Sequence, residues 1–413
     1  MLRSGQSRLS AAQAVGFAIT ALVCSSGASF AAISAADPPA TPPAQTSSAE
    51  TPSAPAAATP VPATTATPQP AQQPQSASAE ATAAAAVQAA PATAEANDEA
   101  AAFNTFRHDL INLLILRADG RTLAAAAQIA APDADDPTRL AVKKTPGLLQ
   151  RALRFGEQDP LVLWVASSNV CQTSPSCADA NALSKLQTVD ADNAAAWLRS
   201  FPADDNAARA TAIVARMAQA QRYDDYWGAN VVALVHALEV LPVPASVTRQ
   251  GVGVDAARIN FATSIASSLL PTQLKQLAVF CRAAAGKDAA LISDCISVAR
   301  KLETGGTFIS QKVGFAIEEA LVAPGVDRDI MHARERSAAW QQEQFLALSA
   351  KFSREPAVAK SYVRLLTSEK NELAANLVLL REQSIHSDPP AGWEPPSAPV
   401  AGDPMQSAPA VQH

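Results

Sequence analysis

The chain has 413 residues, a formal net charge of −6, and only 17% charged and 5% aromatic residues. This acidic balance excludes bulk attraction to nucleic acid or anionic lipid. The 48% hydrophobic content leans heavily on alanine, which suits close-packed helices better than strands, where branched and aromatic side chains are favoured.

Residues 1–31 read as a signal peptide. Arg3 and Arg8 form a positive start, Ala14 to Cys24 an apolar stretch, and Ala28 or Ala31 a cleavage position among small residues. The alternative is an uncleaved membrane anchor, since residues 9–36 carry no charge. Lipid attachment at Cys24 is a third reading, which Val23 fits poorly. Cleavage would remove Cys24 and leave four cysteines. The expected location is periplasmic or secreted, with no stable membrane span after cleavage.

Residues 32–97 are low in complexity, dominated by Ala, Pro, Thr and Ser, with no basic residue between Arg8 and Arg107. Such a segment buries too little apolar surface to offset chain entropy and is expected to be disordered. It reads as a spacer or as a tail with no mechanical duty. Residues 387–413 repeat the composition and carry the same expectation, with Trp393 an isolated aromatic read as solvent-exposed, the alternative being that it docks on a groove.

Between these ends, residues 98–386 predict one all-α domain with a sub-boundary near 242–253. Phe106, Leu110, Leu113 and Leu114 follow helical spacing, with Gly120 as the stop. Thr145–Pro146 predicts a helix start. Pro271–Thr272 opens a helix closed by Gly286, Asp288 caps the next, and Thr307 starts a third that ends at Pro324–Gly325. Two further helices are expected over 328–352 and 355–385. No alternating strand–turn series appears.

Residues 159–164 (DPLVLW) and 192–197 (DNAAAW) place Asp159 and Asp192, and likewise Trp164 and Trp197, 33 positions apart. That period suggests stacked helical hairpins. With the turn at 222–225 (RYDD), residues 150–230 resemble tetratricopeptide repeats. The glycine of that pattern is absent, and Pro202 and the Cys171–Cys177 loop interrupt it. The resemblance implies irregular antiparallel hairpins, arranged as a solenoid or a bundle, and a role in binding protein segments.

Cys281 and Cys295 are equidistant from residue 288, beside a Gly-Lys-Asp break. In an antiparallel hairpin, seven helical residues on either side advance about 10 Å. The two sulfurs would therefore face each other and form a disulfide. Cys171 and Cys177 enclose a turn-forming Gln-Thr-Ser-Pro-Ser loop and are expected to form a second bridge, with pairings across the two groups as the alternative, since four cysteines allow three connectivities. Neither spacing suits a tetrahedral zinc site or a redox C-x-x-C motif.

Arg222, Tyr223, Tyr226 and Trp227 form a candidate binding surface, with the aromatics as anchors and Arg222 as a carboxylate partner. The competing reading is a helix start whose aromatics pack inward. His108–Asp109 and His332 with Glu335 read as solvated helical faces. Glu318–Glu319 offers an acid for glycan chemistry, without the flanking residues such enzymes carry. Gly251-Val-Gly253 lacks a third glycine, and no nucleophile elbow is present. No cofactor or metal is predicted.

The leading expectation is a non-enzymatic protein- or peptide-interaction module of the bacterial cell envelope. The alternatives are an envelope enzyme acting on peptidoglycan through a carboxylate and a structural envelope protein without a discrete ligand.

Overall fold

The computed structural model describes residues 101–131, 145–168, 180–204, 206–245, 253–286, 288–369 and 371–395. The signal-peptide and linker segments, Cys24, Cys171, Cys177 and the tail beyond 395 lie outside the described residues. Among the described residues there is no strand, only one isolated parallel bridge between Asn193 and Arg222. The fold is all-α.

Helix α1 covers 101–114 and α2 covers Gly120–Ala130. Gly120 therefore opens a helix, where the sequence suggested a stop. The reason lies one residue upstream: the Asp119 carboxylate accepts the Thr122 N–H at 2.8 Å and caps α2. Helix α3 spans Thr145–Phe155. Thr145 lies inside it, and its hydroxyl donates to the Ala127 carbonyl at 3.4 Å.

Helix α4 (Pro160–Ala166) starts where the Asp159 carboxylate accepts the Leu161 N–H. Helix α6 (Ala194–Leu198) starts where the Asn193 side chain accepts the Ala195 N–H. With α5 (Ala180–Val189) and α7 (Ala207–Gln219), these give two successive hairpins, α4/α5 and α6/α7. Their capping residues, 159 and 193, are 34 positions apart (193 − 159). The capping group of the second hairpin is the Asn193 amide rather than Asp192, one residue beyond the spacing of the aspartates.

Helix α8 (Trp227–Leu238) is apolar nearly all round, the pattern of a helix enclosed by others. It packs against α2, α9 (Val254–Ser267) and α14 (Pro356–Glu369). Where α2 meets α8, Gln128 and Asn230 exchange two hydrogen bonds, at 2.8 and 2.9 Å, with both side chains buried. An amide left unpaired there would forfeit its solvation without replacement. Asn230→Leu should therefore destabilise the fold by about 2 kcal/mol. A Gln128→Leu/Asn230→Leu pair should recover much of that loss, read from chemical denaturation as a double-mutant cycle.

The remaining helices are α10 (Gln273–Ala283), α11 (Ala289–Thr304), α12 (Phe308–Leu321), α13 (Val326–Ser349) and α15 (Glu372–Glu382). The single helix expected over 355–385 is two, α14 and α15. Asn371 divides them, its side chain accepting the N–H groups of Leu373 and Ala374 at 2.8 and 3.2 Å. Thr307 and Ser310 form a reciprocal capping box at the start of α12. The helices on either side of 242–253 share one continuous hydrophobic cluster, from Phe106 to Leu380. A second small cluster joins Phe315, Met331 and Ala338.

A Cys281–Cys295 disulfide joins α10 to α11, with Cα atoms 5.7 Å apart and both residues fully buried. The side chain of Asp288 caps α11 by accepting the Ala290 and Leu291 N–H groups. The bridge closes a loop of about fifteen residues, so a Cys281→Ala/Cys295→Ala variant should lose about 3 kcal/mol. The urea midpoint checks this. Intact mass with and without reductant counts the bridges, at two hydrogens for each. Among the described residues, no helix is long and apolar enough to cross a membrane.

Candidate functional site

The cluster at 222–227 turns inward. Tyr223, Tyr226 and Trp227 are buried, so these aromatics are not open anchors, and Arg222 alone is substantially exposed. The segment docks on the start of α6. The Gln221 and Arg222 N–H groups donate to the Asp192 carbonyl, and the Ala194 N–H donates to the Arg222 carbonyl at 2.8 Å. Asn193, fully buried, exchanges hydrogen bonds with the Asp224 backbone at 2.8 and 2.9 Å. Arg222 pairs with Asp190 at 2.6 Å, and the Tyr226 hydroxyl donates to the same carboxylate. Trp164 lies between the Tyr226 ring, 5.2 Å away, and the Arg199 guanidinium, 3.7 Å from its centroid.

Beneath this junction lie two carboxyls far apart in sequence. Asp225 accepts the Trp227 N–H and the Thr307 hydroxyl, both at 3.3 Å. Glu372 accepts the Phe308 N–H at 3.2 Å. Burial, then the charge of Asp224, pushes Asp225 up to about 7. Burial, then the proximity of Asp225, pushes Glu372 up to about 8. Arg199 and Tyr223 adjoin the same interior, and burial lowers Arg199 to about 10.

Glu318 is also buried. Its oxygens accept from Arg300 at 3.0 Å and Arg334 at 2.6 Å, and Arg334 also binds Glu303. Burial raises Glu303 to about 8, reinforced by Glu318. Burial acts on Glu318 in the same sense, but hydrogen bonds from Glu303, Arg300 and Arg334 outweigh it and hold this carboxyl below its ordinary range. Glu318 is thus enclosed by its own cations rather than presented to a cleft. Glu319 is half-exposed and lies 3.4 Å from His332, which also meets Glu335 at 3.5 Å. His108 and Asp109 are exposed. Among the described residues, no three His, Cys, Asp or Glu side chains gather as a metal site.

The face that engages a non-helical segment of the chain is on α13, and sequence reasoning missed it. Past α15, Ser384 takes a left-handed conformation (φ 57), and the Ile385 N–H returns to the Leu380 carbonyl at 2.9 Å. The chain then runs along α13. Trp340 Nε1 donates to the His386 carbonyl at 3.0 Å, and Gln341 Nε2 to the Ser387 carbonyl at 3.2 Å. An Arg336 guanidinium nitrogen donates to the Pro390 carbonyl at 3.4 Å. The Trp393 N–H closes a turn onto the Pro390 carbonyl at 3.1 Å, with Gly392 at φ 77 in the position that requires it. That turn sets the Trp393 ring edge-on to Trp340, centroids 5.3 Å apart. Residues 386–393 therefore lie on the domain, and Trp393 is half-buried. Gly392–Trp393 within a proline-rich stretch was the available signal. What it docks on is set by a helix some fifty positions earlier.

Fold and site together define an all-helical protein with a buried polar junction and a helix face on which residues 386–393 of the same chain lie. No protein-family model, curated protein or solved structure matches the chain.

Proposed function

We propose that this chain is an exported, non-enzymatic interaction module of the bacterial cell envelope, whose helical domain binds extended peptide segments. One observation carries the reading. The α13 face holds residues 386–393 through side-chain donors aimed at main-chain carbonyls and through the Trp340 ring, against which Trp393 packs. The resemblance of residues 150–230 to tetratricopeptide repeats implies a role in binding protein segments, and the two successive hairpins capped at 159 and 193 fall in that stretch. The signal-like residues 1–31 support export. Enclosure of Glu318 by Arg300 and Arg334 disfavours the peptidoglycan-cleaving alternative, in which an acid must reach a substrate oxygen.

Panning a random displayed-peptide library against the full chain tests the reading, with Trp340→Ala as control. Peptides enriched on the wild-type chain and lost on the control support it. Identical outputs from the two chains would falsify it.

A further inference from the structure

The chemistry of the α13 face narrows its ligand. The three side-chain hydrogen bonds from α13 to the strap all run from donors on the helix: Trp340 Nε1, Gln341 Nε2 and the Arg336 guanidinium. Arg336 Nε is a further donor, buried and without an acceptor. A surface of donors fits a chain rich in acceptors. Proline suits that: it has a carbonyl but no N–H, so it adds an acceptor without a competing donor, and the second lone pair of the Pro390 carbonyl stays available to Arg336 beside the turn bond from Trp393. The stiffness of a proline-rich chain also lowers the entropy lost on binding. The segment seated here reads His-Ser-Asp-Pro-Pro-Ala-Gly-Trp, and the carbonyl of its second proline is one of the three acceptors. The run Asp-Pro-Pro-Ala at 388–391 recurs at 37–40 of the same chain.

We propose that the α13 face at Arg336, Trp340 and Gln341 is a recognition site for extended proline-rich segments of the Asp-Pro-Pro-Ala type, and that residues 386–393 occupy it in cis as a built-in competitor. This rests on the interaction-module reading and adds the ligand class and its regulation. Displacing the strap frees three donors and the Trp340 ring together, so an incoming segment must supply carbonyls at matching intervals. The stretch following residue 40 lacks the Gly-Trp pair that folds back onto Trp340. A segment of that kind makes fewer contacts than the strap, so the tail sets a threshold for its competitors.

The test is calorimetric titration of two full-length chains, the wild type and a variant with residues 386–396 replaced by Gly and Ser. The probes are synthetic peptides spanning residues 384–396 and 34–44. A tethered competitor acts at an effective concentration on the order of 1 mM, so a peptide of ~100 μM affinity should bind the variant about tenfold more tightly than the wild type. Peptide 384–396 should bind more tightly than 34–44. Adding Trp340→Ala to the variant should abolish binding of both, and Pro389→Ala/Pro390→Ala in the longer peptide should weaken it at least tenfold.

Equal affinity for the proline and alanine peptides would overturn the proposal while leaving a general peptide-binding role intact. So would equal affinity of one peptide for the two chains. Inert peptides alongside a concentration-dependent dimer of the wild type would assign the face to a second copy and also overturn it. If the replaced tail impairs folding, the wild-type chain labelled with 5-fluorotryptophan decides the matter. Excess peptide 384–396 should shift the Trp340 and Trp393 fluorine resonances selectively, and unshifted resonances count against the proposal.

Discussion

Asp225→Asn combined with Glu372→Gln should flatten the pH dependence of stability between pH 5 and pH 8. In the folded chain burial raises Asp225 to about 7 and Glu372 to about 8, whereas unfolded carboxyls titrate near pH 4. Between these limits the native state holds more protons than the unfolded state. The unfolding free energy therefore falls as pH rises. The stabilisation is fully present below about pH 4 and is lost as pH passes through 7 to 8. Each group changes stability by at most ~1.4 kcal/mol per pH unit across its window, so the pair should account for a loss of a few kcal/mol from pH 5 to pH 8. Glu303, raised to about 8 by burial and by Glu318, acts in the same sense and leaves a residual slope in the double variant.

Asn at 225 keeps one oxygen for the Trp227 N–H and turns its NH2 toward the Thr307 hydroxyl oxygen, which can accept, and Gln at 372 keeps the oxygen that accepts from Phe308. The margin of the variant over the wild type should therefore be small at pH 5 and several-fold larger at pH 8. Urea midpoints at the two pH values decide this. A variant with the full wild-type slope would mean that Asp225 and Glu372 ionise in the interior without penalty.

Gly305→Ala should be among the most damaging single substitutions available. An added Cβ would stand 2.0 Å from the Tyr223 carbonyl oxygen and 3.0 Å from its carbonyl carbon. Both obstacles are backbone. The Tyr223 strand of chain is pinned by the Asn193–Asp224 hydrogen bonds, and the Gly305 N–H is bound to the Lys301 carbonyl at 3.0 Å. Relief requires parting the start of α12 from the 222–227 segment, at about 4 kcal/mol or more. Gly286→Ala is the control. Nothing lies within 4 Å of its Cβ, but φ is +72, so the change should be about 1 kcal/mol of backbone strain. Similar melting temperatures for the two variants would refute the close-approach argument.

The Cys281–Cys295 bridge was legible because its warrant is local: two positions equidistant from a break face each other in any antiparallel hairpin. Asp288 and Thr307 were legible as helix starts for the same reason, since each side chain serves N–H groups two or three residues on. Gly120 was misjudged because the group that decides it, the Asp119 carboxylate, outranks the glycine in setting the boundary. Asn371 escaped because an asparagine within a periodic stretch does not announce itself as a cap.

The inward turn of the 222–227 aromatics was one of two readings open to the sequence. What chose it was the bond from Asn193 to the backbone of Asp224, thirty-one positions away. Glu318 looked like a free acid because Arg334, sixteen positions on, shows no local pattern that marks it as a partner.

By itself, then, the sequence determined an alanine-rich, all-helical domain, most of its boundaries and one covalent cross-link, because caps, helical periodicity and hairpin symmetry act over a few residues. The tertiary structure alone decided which carboxyls are pushed toward neutrality and which aromatics are sealed in. It also decided that residues 386–393 lie on α13. Burial and docking depend on surfaces contributed by helices distant in sequence, such as those that bring Glu372 to Phe308 and Pro390 to Arg336.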